Sequence, residues 1–191
     1  MVNERRLKMW TLKKPDPVKL IIGILACDEQ ALAAAVEMIK AKFGECDLES
    51  PTWPFTHTQY YAKETGSTIV KKFVTIEKLI LPDELAKIKI KTNKMEAKLA
   101  GKFANLSRPV NLDPGYIEPS KLVLASTKNF SHRIYIGKKI WAEVTLIFHK
   151  GRWVSFDYTF PDHKEDRYHG FFSQVREKAL TQIKLKIKSE K

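Results

Sequence analysis

At 191 residues, with 43% hydrophobic and 29% charged residues, the chain can bury a sizeable core and is too apolar to be disordered. Its 34 Lys and Arg against 22 Asp and Glu leave a formal charge of +12, which favours anionic partners such as nucleotides, RNA or acidic proteins. Two cysteines, Cys27 and Cys46, are too few for a thiolate zinc site, and no apolar run is long enough to span a bilayer, so a cytoplasmic protein without membrane contact is expected.

Residues 1–16 read as a basic N-terminal tail carrying Arg5, Arg6, Lys8, Lys13 and Lys14, ahead of a single α+β domain over 17–187. Residues 18–26, VKLIIGILA, have the pattern of a central strand buried on both faces. Asp28 is placed to cap the next helix, in which Leu32, Val36, Ile39 and Phe43 recur at helical spacing before Gly44 ends it. Gly23 is read as a site of close packing on the strand, since no phosphate loop or dinucleotide fingerprint follows it. An edge strand is expected to begin at 57–61 and a stronger strand to occupy 68–79.

Pro82 then opens a helix to about Leu99, with Leu85, Ile88, Thr92, Met95 and Leu99 on one stripe. Lys87, Lys91, Lys94 and Lys98 form the opposed stripe, either a solvated face or a track for an RNA backbone. Beyond it the sequence predicts a short strand at 110–112, a turn at Asp113-Pro114-Gly115 and a short helix from Glu118 to Leu124. Pro161 and Asp162 break the chain before a last helix, which starts near Lys164 with Phe172, Val175, Ala179 and Ile183 as its apolar line. After Leu180 the alternation IKLKIK conflicts with helical spacing and predicts a frayed end or an added strand.

Between these, residues 132–136, 140–148 and 152–160 read as a three-strand meander. A three-residue turn His149-Lys150-Gly151 would pair Phe148 with Arg152 and Leu146 with Val154. A three-residue loop at 137–139 would pair Ile136 with Ile140 and Ile134 with Ala142. One face is then apolar, from Ile134 and Ile136 through Ala142, Val144, Leu146 and Phe148 to Val154, Phe156 and Tyr158. The other carries Arg133, Glu143 and Asp157 in one row and Tyr135, Trp141 and Thr159 in the next. Opposed carboxylates joined by Arg133 have capacity for a metal or a cationic ligand.

The expected fold is therefore α+β, a largely antiparallel mixed sheet packed by helices. Its first half is a ferredoxin-like βαββαβ unit over 18–112, followed by a β-meander and a C-terminal helix. The stretches PVKLIIGIL, IKIKTNKMEAK, VNLDPGYIEPSKLVLAST, KNFSHRIYIGKKIWAEVTL and YTFPDH together resemble a prokaryotic family known as domain of unknown function 4416, over roughly 17–183. The resemblance carries no activity. It implies weight for the polar positions Asn111, Asp113, Tyr116, Lys121, Ser131, His132, Arg133, Tyr135, Glu143 and Asp162.

These readings converge on a pocket for a small anionic or nucleotide-like ligand between the NLDPGY segment and the meander. Its candidate residues are Asn111, Asp113, Gly115, Tyr116, Lys121, His132, Arg133, Tyr135, Glu143 and Asp157, with Asp113, His132, Glu143 and Asp157 as candidate ligands for a divalent metal. An RNA-binding or protein-interaction module using the basic surface is the alternative, and a scaffold without catalysis the third; whether the protein is an enzyme stays open. His57, His149 and His163 are assigned to loops or surface.

Overall fold

The apolar run after Pro17 forms the middle of the protein. In the structure, a computed structural model that describes residues 13–56, 69–103 and 106–189, strand β1 (Lys19–Ala26) is buried along its whole length. Arg5, Arg6 and Lys8 and the edge strand expected at 57–61 lie outside the described residues. Helix α1 (Glu29–Phe43) follows, with the Asp28 carboxylate accepting from the Ala31 N–H and the Gly44 N–H donating to the Lys40 carbonyl. Then come β2 (Cys46–Glu49), β3 (Trp53–Pro54), β4 (Val70–Ile76), a 3-10 turn at Pro82–Glu84, and helix α2 (Leu85–Ala100). The second half comprises β5 (Val110–Glu118), β6 (Lys121–Ser126), β7 (Ile134–Tyr135), β8 (Trp141–His149), β9 (Arg152–Ser155), a 3-10 turn at Pro161–Lys164, and α3 (Asp166–Ser189).

The strands form one antiparallel sheet in the order β2-β4-β1-β5-β6-β8-β7, with β3 also on β4 and β9 also on β8. Its first four strands, joined through α1 and α2, have the order of a ferredoxin-like βαββαβ unit. Because β1 is buried on both faces, helices must cover both sides of the sheet. Leu20, Ile22, Ile24 and Ala26 face α1 and α2, together with Val74, Ile76, Val110 and Leu112. Ile21 faces the other way with Phe73, Ile117, Leu122 and Leu146, under Tyr168, Phe171, Phe172 and Val175 of α3. Each such side chain fully buried stabilises by about 1.5–3 kcal/mol.

One polar cluster pins α3 to the sheet. Lys19 is fully buried, and its ammonium bonds to Asp47 of β2, to Gln182 Oε1 at 2.9 Å and to the Glu77 carbonyl at 3.2 Å. Asp47 also accepts from Thr75 Oγ1 at 2.6 Å and pairs with Lys178 at 3.2 Å. Burial lowers the Lys19 ammonium. It would also raise Asp47, but Lys19, Thr75 and Lys178 hold that carboxyl below its usual value.

Several local expectations are overturned. Asp113-Pro114-Gly115 is not a turn, since β5 runs straight through it beside β1. Residues 118–124 form a hairpin into β6, not a helix, with Glu118 paired to Lys121 and Ile117 to Leu122. Strand β8 meets β9 through a two-residue turn, with Lys150 at φ 48° and Gly151 at φ 79°, the left-handed pair that suits hairpin twist. His149 therefore pairs with Arg152 and Phe148 with Trp153, one residue from the expected register, which turns Trp153 into the core and Val154 outward. A bulge at Thr145 in β8, opposite Leu122 and Val123, splits the supposed apolar face. Ala142 packs with Val123 and Ala125 against α2, with Val144 beside them, whereas Leu146 and Phe148 pack towards α3. The Ile134–Ala142 and Ile136–Ile140 pairings do form. Finally, α3 stays helical to Ser189, and Ile183, where the alternation begins, still continues the buried line of Val175 and Ala179.

Among the described glycines, Gly115 has the closest neighbours. A Cβ there would lie 2.3 Å from the Val123 carbonyl oxygen and 2.6 Å from Leu124 Cδ2. Gly115→Ala should therefore destabilise the fold by about 1–3 kcal/mol, read as a lowered midpoint in urea denaturation, because strand backbone must shift to accept the methyl. A wild-type midpoint in that variant would contradict the described β5–β6 approach.

Candidate functional site

Above Gly115 the two central strands part. The β5–β6 ladder stops at Gly115–Leu124, although β6 continues to Ser126 along β8. Leu112 consequently faces a gap with its N–H and C=O, and helix α2 fills both: Glu96 Oε1 accepts from the Leu112 N–H at 2.8 Å, and Lys89 Nζ donates to its carbonyl at 2.7 Å. Two residues on, Pro114 turns its missing N–H to the same side, which is why a proline fits inside this central strand. Lys89 thus reaches from the helix layer through the opening to Asp113 on the far face, at 3.5 Å.

On that far face the opening becomes a cavity of about 390 Å³. One bank is Asn111 and Asp113 of β5 with Lys71 of β4. Asn111 Nδ2 donates to Asp113 Oδ2 at 2.6 Å, and Arg108 bonds to Asn111 Oδ1 and lies 3.5 Å from Glu96. Lys71, buried beside the rings of Phe55 and Phe73, donates to Asp162 Oδ2 at 3.1 Å, and Asp162 Oδ1 meets His163 Nδ1 at 3.1 Å. The opposite bank is built on Glu143, whose carboxylate is buried. Arg133 Nε donates to Glu143 Oε2 at 2.8 Å, while Arg133 Nη1 donates to Ser126 Oγ and to the Lys128 carbonyl, each at 2.9 Å. His132 Nε2 lies 3.1 Å from the same Glu143 oxygen, and its ring stacks on Tyr158 at 4.2 Å.

The electrostatics tie the first bank together. Burial would raise Asp113, yet Lys89, Lys71, His163 and Arg108 hold its carboxyl below the ordinary value. Asp162 is likewise pushed up by burial but held well below the carboxylate range by Lys71 and His163. Glu96 goes the other way, because burial outweighs Lys89, the Leu112 N–H and Arg108. Five cations line the cavity (Lys71, Lys89, Arg108, Lys128, Arg133) against the carboxylates Asp113, Glu143 and Asp162. Adding Glu96 behind Lys89 still leaves an excess of positive charge.

Of the residues singled out by sequence, Asn111, Asp113, Arg133, Glu143 and Asp162 line this cavity, with His132 against Glu143. The others lie elsewhere. Gly115 is wedged against Val123, Tyr116 packs near α2, and Lys121 pairs with Glu118 at the hairpin end. Tyr135 is exposed beside Trp141. The Glu143–Asp157 pair does not form: β9 ends at Ser155, and Asp157 is exposed. The β8 carbonyls beside it are taken by side chains instead, Tyr158 Oη donating to Val144 at 3.0 Å and Thr159 Oγ1 to Thr145 at 2.7 Å. Among the described residues no three His, Cys, Asp or Glu side chains gather as metal ligands. Lys87, Lys91, Lys94 and Lys98 are exposed on α2, as the wheel requires.

Sequence reasoning missed Lys71, Lys89 and Arg108 as members of the site and placed His163 at the surface. His163 is buried, 6.1 Å from the Phe172 ring and 5.9 Å from Phe73. A signal was present for both lysines. Lys89 and Glu96 interrupt the stripe of Leu85, Thr92 and Leu99 at core spacing, and Lys71 alternates with Ile69 and Phe73 on a buried face.

Asp162 gives this site a pH signature. Its depressed value means that its stabilising contribution is complete above the unfolded aspartate value of about 3.9 and is lost as pH falls below that. Asp113 and Asp47 act in the same direction, while the raised Glu96 gains stability on acidification. Asp162→Asn should cost about 3–5 kcal/mol at pH 7 by stranding the Lys71 ammonium, and should flatten the loss of stability between about pH 4 and 2. Urea denaturation across that pH range measures both; an unchanged acid slope would mean that Lys71 and Asp162 are not paired.

No helix among the described residues is long and apolar enough to cross a membrane. Comparison with curated proteins and with solved structures finds no match. The family described as Domain of unknown function (DUF4416) matches residues 16–178, covering the ferredoxin-like unit, the parted strands, both banks of the cavity and the start of α3, and the chain belongs to that family.

Proposed function

We propose that the cavity between β5 and β6 binds a small anionic ligand of nucleotide-like size in the cytoplasm. The observation that carries this reading is the state of Arg133. Three of its contacts, to Glu143, Ser126 and the Lys128 carbonyl, fix the guanidinium, while Nη2 has no hydrogen bond among the described residues and the side chain lines the cavity. A held guanidinium with a free donor edge is prepared for a phosphate or carboxylate, because little side-chain freedom remains to be lost on binding. The cavity volume lies in the range of small-molecule sites, and the surrounding lysines supply a positive field. Binding alone needs no catalytic group; a divalent ion bridging to the ligand is tested by including Mg²⁺ in the screen.

A thermal-shift screen of nucleotides and phosphorylated metabolites, with and without Mg²⁺, tests the reading. A ligand at a hundred times its Kd should raise Tm by roughly 5–10 °C, and Arg133→Ala should abolish the shift. No shift with any anion would leave a scaffold in which these networks only lock the sheet.

The exposed lysine stripe on α2 favours a second reading, contact with an RNA backbone. Reversing Lys87, Lys91 and Lys94 to Glu should then weaken RNA binding and reduce its salt slope by about 3, whereas absence of binding at low salt dismisses it.

A further inference from the structure

Given an anion site at Arg133, the other bank decides what else the ligand carries. We infer that the cavity takes a hydroxyl-bearing phosphomonoester, a sugar phosphate or the ribose-phosphate part of a nucleotide, with its phosphate at Arg133 and Lys128 and a hydroxyl on Asp113. This rests on the anion-binding reading above.

The three lining carboxylates are not equivalent. Glu143 and Asp162 are buried, with side-chain exposures of 2% and 7%, and both oxygens of each are engaged by the protein. Asp113 is 35% exposed, and only its Oδ2 holds a short bond, from Asn111. Its Oδ1 has the 3.5 Å contact with Lys89 and nothing closer. One acceptor oxygen therefore faces the cavity with capacity left, and the neighbouring cations keep it ionised, able to accept and unable to donate.

Charge fixes both the orientation and the chemistry. A phosphate would be repelled by the open Asp113 oxygen, so it belongs on the opposite bank, where the buried Glu143 carboxylate is covered by Arg133, Arg133 has its open edge and Lys128 is exposed without an ion pair among the described residues. A ligand ammonium on Asp113 would meet Lys71, Lys89 and Arg108, the cations that already surround that carboxylate. A neutral hydroxyl meets no such repulsion. Asp113 and Ser126, which holds Arg133, flank the parting of adjacent strands, a separation of about 5 Å in a closed sheet and wider here. That gap suits a short carbon skeleton between phosphate and hydroxyl, and Leu25, Leu124 and Phe55 provide an apolar wall for it.

Calorimetric titration of wild type, Asp113→Asn and Arg133→Ala with ribose 5-phosphate and with ethyl phosphate tests the assignment. Wild type should bind ribose 5-phosphate about tenfold or more tighter than ethyl phosphate, as expected of a hydroxyl donating to a charged acceptor. Asp113→Asn should bring that ratio below about threefold; the ratio is read within the variant, so that any change shared by both ligands cancels. Arg133→Ala should weaken both ligands in parallel. If neither ligand binds the wild type, the anion site itself is wrong, and this inference falls with it. If both bind wild type equally well, the anion site stands and the hydroxyl subsite is overturned; that comparison needs no variant to fold. A preference for the sugar phosphate that survives in folded Asp113→Asn overturns the role of Asp113.

Discussion

The parting of β5 from β6 is the constraint on which the site depends. A central strand cannot leave backbone groups bare in the interior, where each unsatisfied one costs about 1–3 kcal/mol. Opening the sheet at Leu112 therefore requires substitutes for a lost ladder rung, and Lys89 and Glu96 provide them from one helix. The choice of charged groups has consequences for the whole cavity. An ammonium placed there must be neutralised or shared, and Asp113, Asn111 and Arg108 form the chain of partners that does so. Gly115 marks the lower limit of the opening, since at that position the strands approach too closely for a side chain.

The two banks reach their places by different routes. Lys71, Asn111 and Asp113 sit on regular strands, so the pleat alone turns them to the α3 face. Arg133 lies just before a two-residue edge strand and owes its position to Glu143. Glu143 reaches the cavity because the bulge at Thr145 rotates the first half of β8 relative to the second. Without that extra residue, Leu146 and Glu143 could not share a face. A core strand and a charged bank are thus combined in one segment.

Much of the framework was legible in sequence because it rests on strong periodicity. The apolar run of β1, the Asp28 cap and the buried lines of α2 and α3 each follow from spacing that tertiary contacts reinforce. What failed was local chemistry outvoted by the sheet. Asp113-Pro114-Gly115 has turn residues in turn order, but β1 on one side and α2 on the other satisfy it as a strand. The Lys150-Gly151 turn and the Thr145 bulge each shift parity by one residue, and alternation cannot reveal an inserted residue when both phases contain apolar side chains. Arg133 and Glu143 were paired correctly because both lie before the bulge, and Asp157 was misplaced because β9 ends at Ser155, before the chain reaches it.

The α3 cover has a consequence for how the chain matures. Lys19 and Ile21 belong to the first strand, yet the side chains that close over them, Phe171, Phe172, Val175 and Gln182, come from the far end of the sequence. During synthesis the sheet can pair and collect α1 and α2 on one side while its other side, with the Lys19 ammonium and the Phe73 ring, is still open to water. Such a half-covered sheet is sticky, and the interval before residues 166–183 emerge is when the nascent protein most needs shielding from its neighbours. Lys19 and Lys71 are buried on that same face, so the surface left bare before α3 docks carries two ammonium groups as well as apolar rings.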